Sequence, residues 1–281
     1  MTKAVLKAGC KVNIYFEILN KRSDGYHNIE SLFLPLPRPY DEIYIEEGKE
    51  FVVRCNIKEL EKSNNILYKT YHLFSTAFSF KPKICVYLKK RIPIGSGLGG
   101  GSSDAAEFLK YLSSIAPRKI PMEKLKDIAK KIGADVPFFL KREISWVQGI
   151  GEVITPLTKD NFSFNFKYLI LLIPPFEVST SYAYKRWDDF FSLTKFKIRF
   201  KKILAQTGRI LKNSFESVLF SETRFKELRE IKVELLRLGF KGVVLSGSGS
   251  SMVGVCDTKD TLLKGCGLLK NKKWTYYVYK F

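Results

Sequence analysis

Residues 93–109 read PIGSGLGGGSSDAAEFL, and five of the seven positions from Gly95 to Gly101 are glycine. The chain has 19 glycines in 281 residues, so more than a quarter of them fall in this one stretch. Ordering a glycine costs more backbone entropy than ordering any other residue. Directly behind the run, Ala105, Phe108, Leu109 and Leu112 fall at helical spacing. That places a helix after the glycines, with Ser102 or Ser103 as its N-cap and Asp104 in its first turn. Glycine amides converging on a helix N-terminus form a phosphate cradle. A flexible surface loop is the alternative, but it accounts for two or three glycines better than for five.

The type of phosphate loop is narrowed by what is missing. GSGLGG, Gly95 to Gly100, formally matches GxGxxG. A dinucleotide-binding unit would then need a parallel strand with an acidic end soon after the helix, and here a second helical pattern, MEKLKDIAKKI, follows instead. A P-loop would need GK[ST], and a protein kinase HRD and DFG; neither set is present.

Composition bounds the rest. Five cysteines, none in a CxxC pair, suggest neither a disulfide framework nor a zinc knuckle. Two histidines, His27 and His72, exclude a histidine-rich metal centre but not a magnesium held by oxygens. The longest apolar stretch, Tyr168 to Phe176, is too short to span a bilayer, and Lys7 and Lys11 interrupt any leader-like core. The expectation is a cytoplasmic protein without membrane contact. The net charge of +20 comes from dispersed lysines, which reads as a solvated surface; a field for polyanionic small molecules or nucleic acid is the other reading.

Along the chain, CKVNIYFEIL puts Cys10, Val12, Ile14, Phe16 and Ile18 on one strand face and Lys11, Asn13, Tyr15 and Glu17 on the other. Strands are expected in YHNIESLFLPLP, DEIYIEEG, FVVRCNI and KICVYLKK, and a helix after Ser63 or Asn64. MEKLKDIAKKI should end at Gly133, and EISWVQGIGEVITPL should form a hairpin. FKYLILLIPP reads as a buried strand. Helices are expected around 179–190, 196–206 and 222–238, then strand, glycine turn and strand in GVVLSGSGSSMVGV, a last helix, and WTYYVYKF as a strand. A boundary near residue 160 divides an N-terminal domain, 1–160, from a C-terminal one, 161–281.

Taken alone, Asp135 in GADVPFF reads equally as a cap of a short helix, and Lys11 as a solvent-facing strand residue. Together with the glycine run, these segments resemble the GHMP kinase superfamily of small-molecule kinases. CKVNI, SDGYHNIESLF, NNILYKTY, PIGSGLGGGSSDAA, GADVPFF, STSYAY and LSGSGSSMVGV follow the family's order through most of the chain. Gly9-Cys10 departs from the usual Pro-Ala, and residues 187–221 do not align readily.

The resemblance implies an α+β fold of two mixed lobes, the second ferredoxin-like, with the site in the cleft between them. It implies transfer of the ATP γ-phosphoryl, with Mg²⁺, to the 2-hydroxyl of a methylerythritol carried on a cytidine diphosphate. Lys11 and Asp135 are then catalytic. Asn13, Tyr26, His27, Thr180 and Tyr184 bind substrate, with the cytosine between Tyr26 and Tyr184 and its edge read by His27. Asn65, Pro93, Gly95, Gly97, Leu98, Gly99, Gly100, Gly101, Ser102 and Ser103 bind ATP, and Ser102 or Ser103 lies near the metal, which has no protein cage. The protein is expected as a monomer or weak homodimer. Another kinase of the superfamily, acting on mevalonate, homoserine or a sugar, and a basic nucleic-acid-binding protein are the competing readings.

Overall fold

The structure is a computed structural model that describes residues 2–158, 162–193 and 211–281. The helix expected at 196–206 and the boundary near 160 lie outside the described residues.

Two long strands, β1 (Thr2–Lys21) and β2 (His27–Glu47), form an antiparallel hairpin running from the Lys21↔His27 pair to Thr2↔Glu46. The sequence suggests two separate strands where β2 stands. The structure joins them through an irregularity, since Gly9 pairs with Tyr40 but Cys10 with Leu36. Residues 37–39, with two prolines, are looped out, which is where proline is tolerated in a sheet. The sheet continues with β3 (Val52–Cys55) and β4 (Ile84–Lys89), and with the expected hairpin of β5 (Ser145–Gly149) and β6 (Val153–Pro156). Four helices cover this region: α1 (Ile66–Phe78), α2 (Gly100–Ser114), α3 (Met122–Ile132) and α4 (Val136–Lys141).

The periodicities explain the packing. In α3, Leu125, Ile128, Ala129 and Ile132 are buried on one stripe, and the helix stops at Gly133. In α2, Phe108, Leu109 and Leu112 are fully buried, each contributing about 1.5–3 kcal/mol over an exposed position. The start of α2 differs from expectation. Its N-cap is Gly99, so Ser102 and Ser103 lie inside the helix and Asp104 beyond its first turn. A glycine at φ 70° is able to carry the chain from the loop straight into the helix, where a serine would be strained.

A second sheet follows. β7 (Tyr168–Ile173) leads into α5 (Thr180–Leu193), then a two-residue strand β8 (Lys212–Asn213), α6 (Glu216–Leu219), α7 (Lys226–Arg237), β9 (Gly242–Leu245), β10 (Met252–Cys256), α8 (Lys259–Leu268) and β11 (Thr275–Lys280). The order β11-β7-β10-β9, all antiparallel, is the split β-α-β-β-α-β arrangement. β8 leaves this sheet and pairs in parallel with β1 at Tyr15 and Phe16. A cluster of Cys10, Val12, Ile14, Leu98, Leu171, Val244 and Val253 lies between the sheets. The apolar face of β1 is therefore the seam of the molecule, and its polar face, also buried, is left for the cleft.

Candidate active site

The glycine run enters through Ile92 and Pro93, and Asp41 holds it there. Asp41 Oδ1 accepts from the amides of Arg91 (2.5 Å) and Ile92 (2.8 Å). The carbonyls of Gly95 to Gly99 are all spent on the protein. Gly95 O accepts from Val178 N, Ser96 O from Ser251 N, Gly97 O from the Ser246 hydroxyl, Leu98 O from Lys11 N, and Gly99 O from Ser103 N. The amides of Gly95 to Gly99 make no hydrogen bond among the described residues. Glycines 95, 97 and 99 have φ of 64°, 75° and 70°, the alternation that turns carbonyls one way and leaves amides free. Donors gathered at the N-terminus of α2 attract an anion of phosphate size.

β1 supplies the polar groups beside this loop. Lys11 is 5% exposed, with its ammonium 4.4 Å from the Phe33 ring centroid. It donates to Asn13 Oδ1 at 2.7 Å and stands 3.5 Å from Asp135 Oδ2. Asn13 donates in turn to Ser31 Oγ at 2.8 Å. Both ends of its amide are thus engaged in aiming Lys11, and Asn13 also lines the cleft. Asp135 sits at the N-cap of α4, yet its carboxylate makes no capping bond. The capping reading of Asp135 is set aside, and its charge is left for Lys11 and the cleft.

The second glycine turn closes on the same spot from the other sheet. Asn13 N donates to Ser246 Oγ at 3.1 Å. A Cβ on Gly247 would stand 3.2 Å from Asn13 Oδ1, so only glycine brings this turn so close. Asn213 fixes the turn by donating to Leu245 O and Gly247 O, both at 2.7 Å.

Lys11, Asn13, the glycine loop, Asp135 and Gly247 line one open cleft of about 1040 Å³. Beyond Lys11 and Asp135, one end is built by the β1–β2 turn and α5. Tyr26 is 61% exposed at the rim. His27 is buried, and its ring stacks on Tyr184 at 4.7 Å and 23°. Thus the ring lying on Tyr184 is His27, while Tyr26 and Tyr184, the expected cytosine-stacking pair, both line this end of the cleft. Thr180 also lines the cleft, with its hydroxyl 2.9 Å from Ser248 Oγ. Burial pushes the Tyr184 phenol well above its usual value, with the Asp135 charge adding to the effect.

At the other end, Asn65 caps α1. Its side chain accepts from Leu67 N (2.8 Å) and donates to Leu60 O (2.7 Å), and it also lines the cleft. Ser102 lines the cleft, whereas Ser103 is fully buried outside it with an unpartnered hydroxyl. Ser103 is therefore not placed to touch a ligand.

Sequence reasoning missed two groups here. Lys90, in a KKR triplet that reads as solvated surface, has a 5% exposed side chain bonded to Asp41 (2.5 Å) and Asp104 (2.7 Å) beneath the loop. Asp188 hydrogen-bonds His27 and Lys21. Its position four residues after Tyr184 on a predicted helix is the one signal that would have found it.

Residues 65–143 match the family described as GHMP kinases N terminal domain. The 4-diphosphocytidyl-2-C-methyl-D-erythritol kinase of Lawsonia intracellularis is 42% identical over 273 residues, covering 90% of this chain and 88% of that one. The enzyme of the same name from Nitratidesulfovibrio vulgaris strain DP4 is 39% identical, covering 88% of each. A crystal structure of 4-(cytidine 5'-diphospho)-2C-methyl-D-erythritol kinase superposes with a TM-score of 0.77 at 28% identity, covering 99% of this chain and all of the other. Methanococcus jannaschii mevalonate kinase shares the fold, with a TM-score of 0.65 at 15% identity, covering 99% of this chain and 98% of that one. With both glycine turns and GADVPFF meeting in one cleft, and identity sustained over nine-tenths of its length, the chain belongs to the 4-diphosphocytidyl-2-C-methyl-D-erythritol kinase family.

Proposed function

We propose that the cleft transfers the γ-phosphoryl group of ATP to the 2-hydroxyl of 4-diphosphocytidyl-2-C-methyl-D-erythritol, giving the 2-phosphate and ADP for isoprenoid precursor synthesis. The observation that carries this reading is the Lys11–Asp135 pair, which stands between a loop of free amides and an aromatic end able to take a base.

Phosphoryl transfer needs positioning and charge neutralisation more than covalent chemistry. The amides of Gly95 to Gly99 and the start of α2 hold the phosphates, with Pro93, Leu98, Gly100, Gly101 and Ser102 shaping the wall. Asn65, at the far end, borders the adenine pocket through its fixed amide. Asp135 orients the 2-hydroxyl and takes its proton as the bond to phosphorus forms. Lys11, aimed by Asn13, faces Asp135 and offsets charge gathering on the phosphoryl oxygens. Tyr26, His27 and Tyr184 receive the cytosine, and Thr180 lies along the path between base and hydroxyl.

A magnesium ion brought with ATP would need few protein ligands, because phosphate oxygens and water would supply the rest. The Ser102 hydroxyl and the Asp135 carboxylate are hard oxygen donors that fit it, and among the described residues no cluster of three acidic, His or Cys side chains forms a cage. When bound, the ion neutralises the β- and γ-phosphates.

We place the protein in the cytoplasm as a monomer or weak homodimer of two lobes divided near residue 160. No helix among the described residues is long and apolar enough to cross a membrane, and the cysteines are unpaired.

A coupled ADP-release assay tests the reading against a panel of acceptor alcohols. Turnover of the cytidine diphosphate substrate, with none on mevalonate, homoserine or sugars, is expected. Preference for one of those alcohols would overturn it.

A further inference from the structure

The base end of the cleft contains a buried imidazole whose two nitrogens are treated differently. His27 Nε2 lies 2.7 Å from Asp188 Oδ1, and the other carboxylate oxygen, Oδ2, accepts from Lys21 Nζ at 2.6 Å. His27 Nδ1 makes no hydrogen bond among the described residues. His27, Asp188, Tyr184 and Tyr26 all line the cleft. Tyr184 and Asp188 are one helical turn apart on α5, so a single helix face offers the imidazole both a ring to lie on and an acceptor for its hydrogen.

We propose that Asp188 sets the base preference of the cleft by fixing the His27 tautomer, so that Nδ1 is left as a hydrogen-bond acceptor for the exocyclic amino group of cytosine. An ionised carboxylate only accepts, so the hydrogen between the two residues belongs to Nε2. Burial pushes the Asp188 carboxyl up, but hydrogen bonds from Lys21 and His27 outweigh it and hold the group below its usual range. Neutral imidazole carries one hydrogen, so Nδ1 presents a lone pair. Because the imidazole is tilted only 23° from the Tyr184 ring, a base laid beside it on the same ring would lie close to the imidazole plane. An in-plane lone pair meets the amino donor of cytosine, and it opposes the carbonyl that uracil has at the same position. The other tautomer would reverse the preference. Asp188 acts here through His27 and is a positioning residue. The inference rests on the cytidine reading of the cleft and adds to it the group that enforces that reading.

The test joins spectroscopy of the free enzyme with kinetics. The chain has two histidines, so ¹⁵N-labelled full-length protein shows two imidazoles, and His72→Gln, on the exposed side of α1, assigns them. Wild type is expected to show His27 with its hydrogen on Nε2. In Asp188→Asn, Lys21 keeps the amide oxygen, the amino group turns to Nε2, and the hydrogen moves to Nδ1. The ratio of kcat/KM for the cytidine and uridine diphosphate substrates should then fall by about tenfold or more. The loss should be carried by the substrate KM, with the KM for ATP unchanged. Asp188→Glu, which restores a carboxylate, should recover the wild-type tautomer and most of the ratio, and it serves also if the amide variant folds poorly. A wild-type hydrogen on Nδ1, or a folded Asp188→Asn that keeps the full ratio, overturns the inference. Failure of the cytidine reading itself looks different, since wild type would then favour neither pyrimidine substrate.

Discussion

The Lys11 ammonium stands 3.5 Å from Asp135 Oδ2 while giving its shorter hydrogen bond, 2.7 Å, to Asn13 Oδ1. It is thus held beside Asp135 without being locked onto it, so both remain free to face the reacting groups. Asp135→Asn and Lys11→Ala should each lower kcat by about 10²–10⁴ with smaller changes in substrate binding. The double variant should lose less than the sum of the two, because the groups act as a unit. Near-normal kcat in both single variants would remove them from the mechanism.

The phosphate cradle has a steric test that separates binding from folding. Gly101 lines the cleft, and a Cβ there would meet nothing within 4 Å. It lies in the first turn of α2 without a left-handed φ, so alanine suits the backbone. Gly101→Ala should stabilise the protein by up to about 1 kcal/mol in urea unfolding. It should also raise the KM for ATP severalfold by intruding on the phosphates. A stabilised variant with unchanged ATP affinity would place the nucleotide elsewhere.

Tyr26 is largely exposed, so its loss should not disturb the core. If its ring covers the base, Tyr26→Ala should cost about 1–3 kcal/mol of binding to cytidine and uridine substrates alike. Unchanged KM values for both would leave Tyr26 as a rim residue only.

The Asp41–Lys90–Asp104 group predicts a pH dependence of stability. The Asp104 carboxyl is pushed up to about 8, chiefly by burial and further by Asp41, against the pull of the Lys90 ammonium. In the unfolded chain it ionises near an ordinary pKa of about 4. Between these values the folded state keeps a proton that the unfolded state has lost. Its contribution is complete at the acid end and is lost as pH rises toward 8. Asp104→Asn mimics the protonated form and keeps an oxygen for Lys90. Its stability relative to wild type should therefore rise with pH across this window, by at most about 1.4 kcal/mol per unit. A flat difference would mean that Asp104 is ionised in the fold.

The sequence made local features plain and left long-range ones hidden. The glycine loop, the strand carrying Lys11 and Asn13, and the helix ending at Gly133 before Asp135 are all set by short-range pattern. The helix start at Gly99 was misread because serine is the commoner cap, while the loop demands a left-handed residue there. Lys90 looked like surface because nothing near it in sequence reveals that Asp41, 49 residues away, supplies its buried partner. The stacking of His27 on Tyr184, and its bond to Asp188, depends on α5 meeting the β1–β2 turn across 161 residues of chain. Strand β8 is two residues long and has no periodicity to read.

The central claim is that the cleft directs the γ-phosphoryl of ATP to one particular hydroxyl, and the proton-coupled ³¹P spectrum of the product tests it most directly. The 2-carbon of the methylerythritol carries no hydrogen, so a phosphate on its oxygen has no proton three bonds away. The account predicts one new phosphomonoester resonance without proton splitting, formed in step with ADP and far more slowly with Asp135→Asn. A doublet would place the phosphate on the 3-hydroxyl and a triplet on the 1-hydroxyl, and either, or ADP release without a new phosphomonoester, would contradict it.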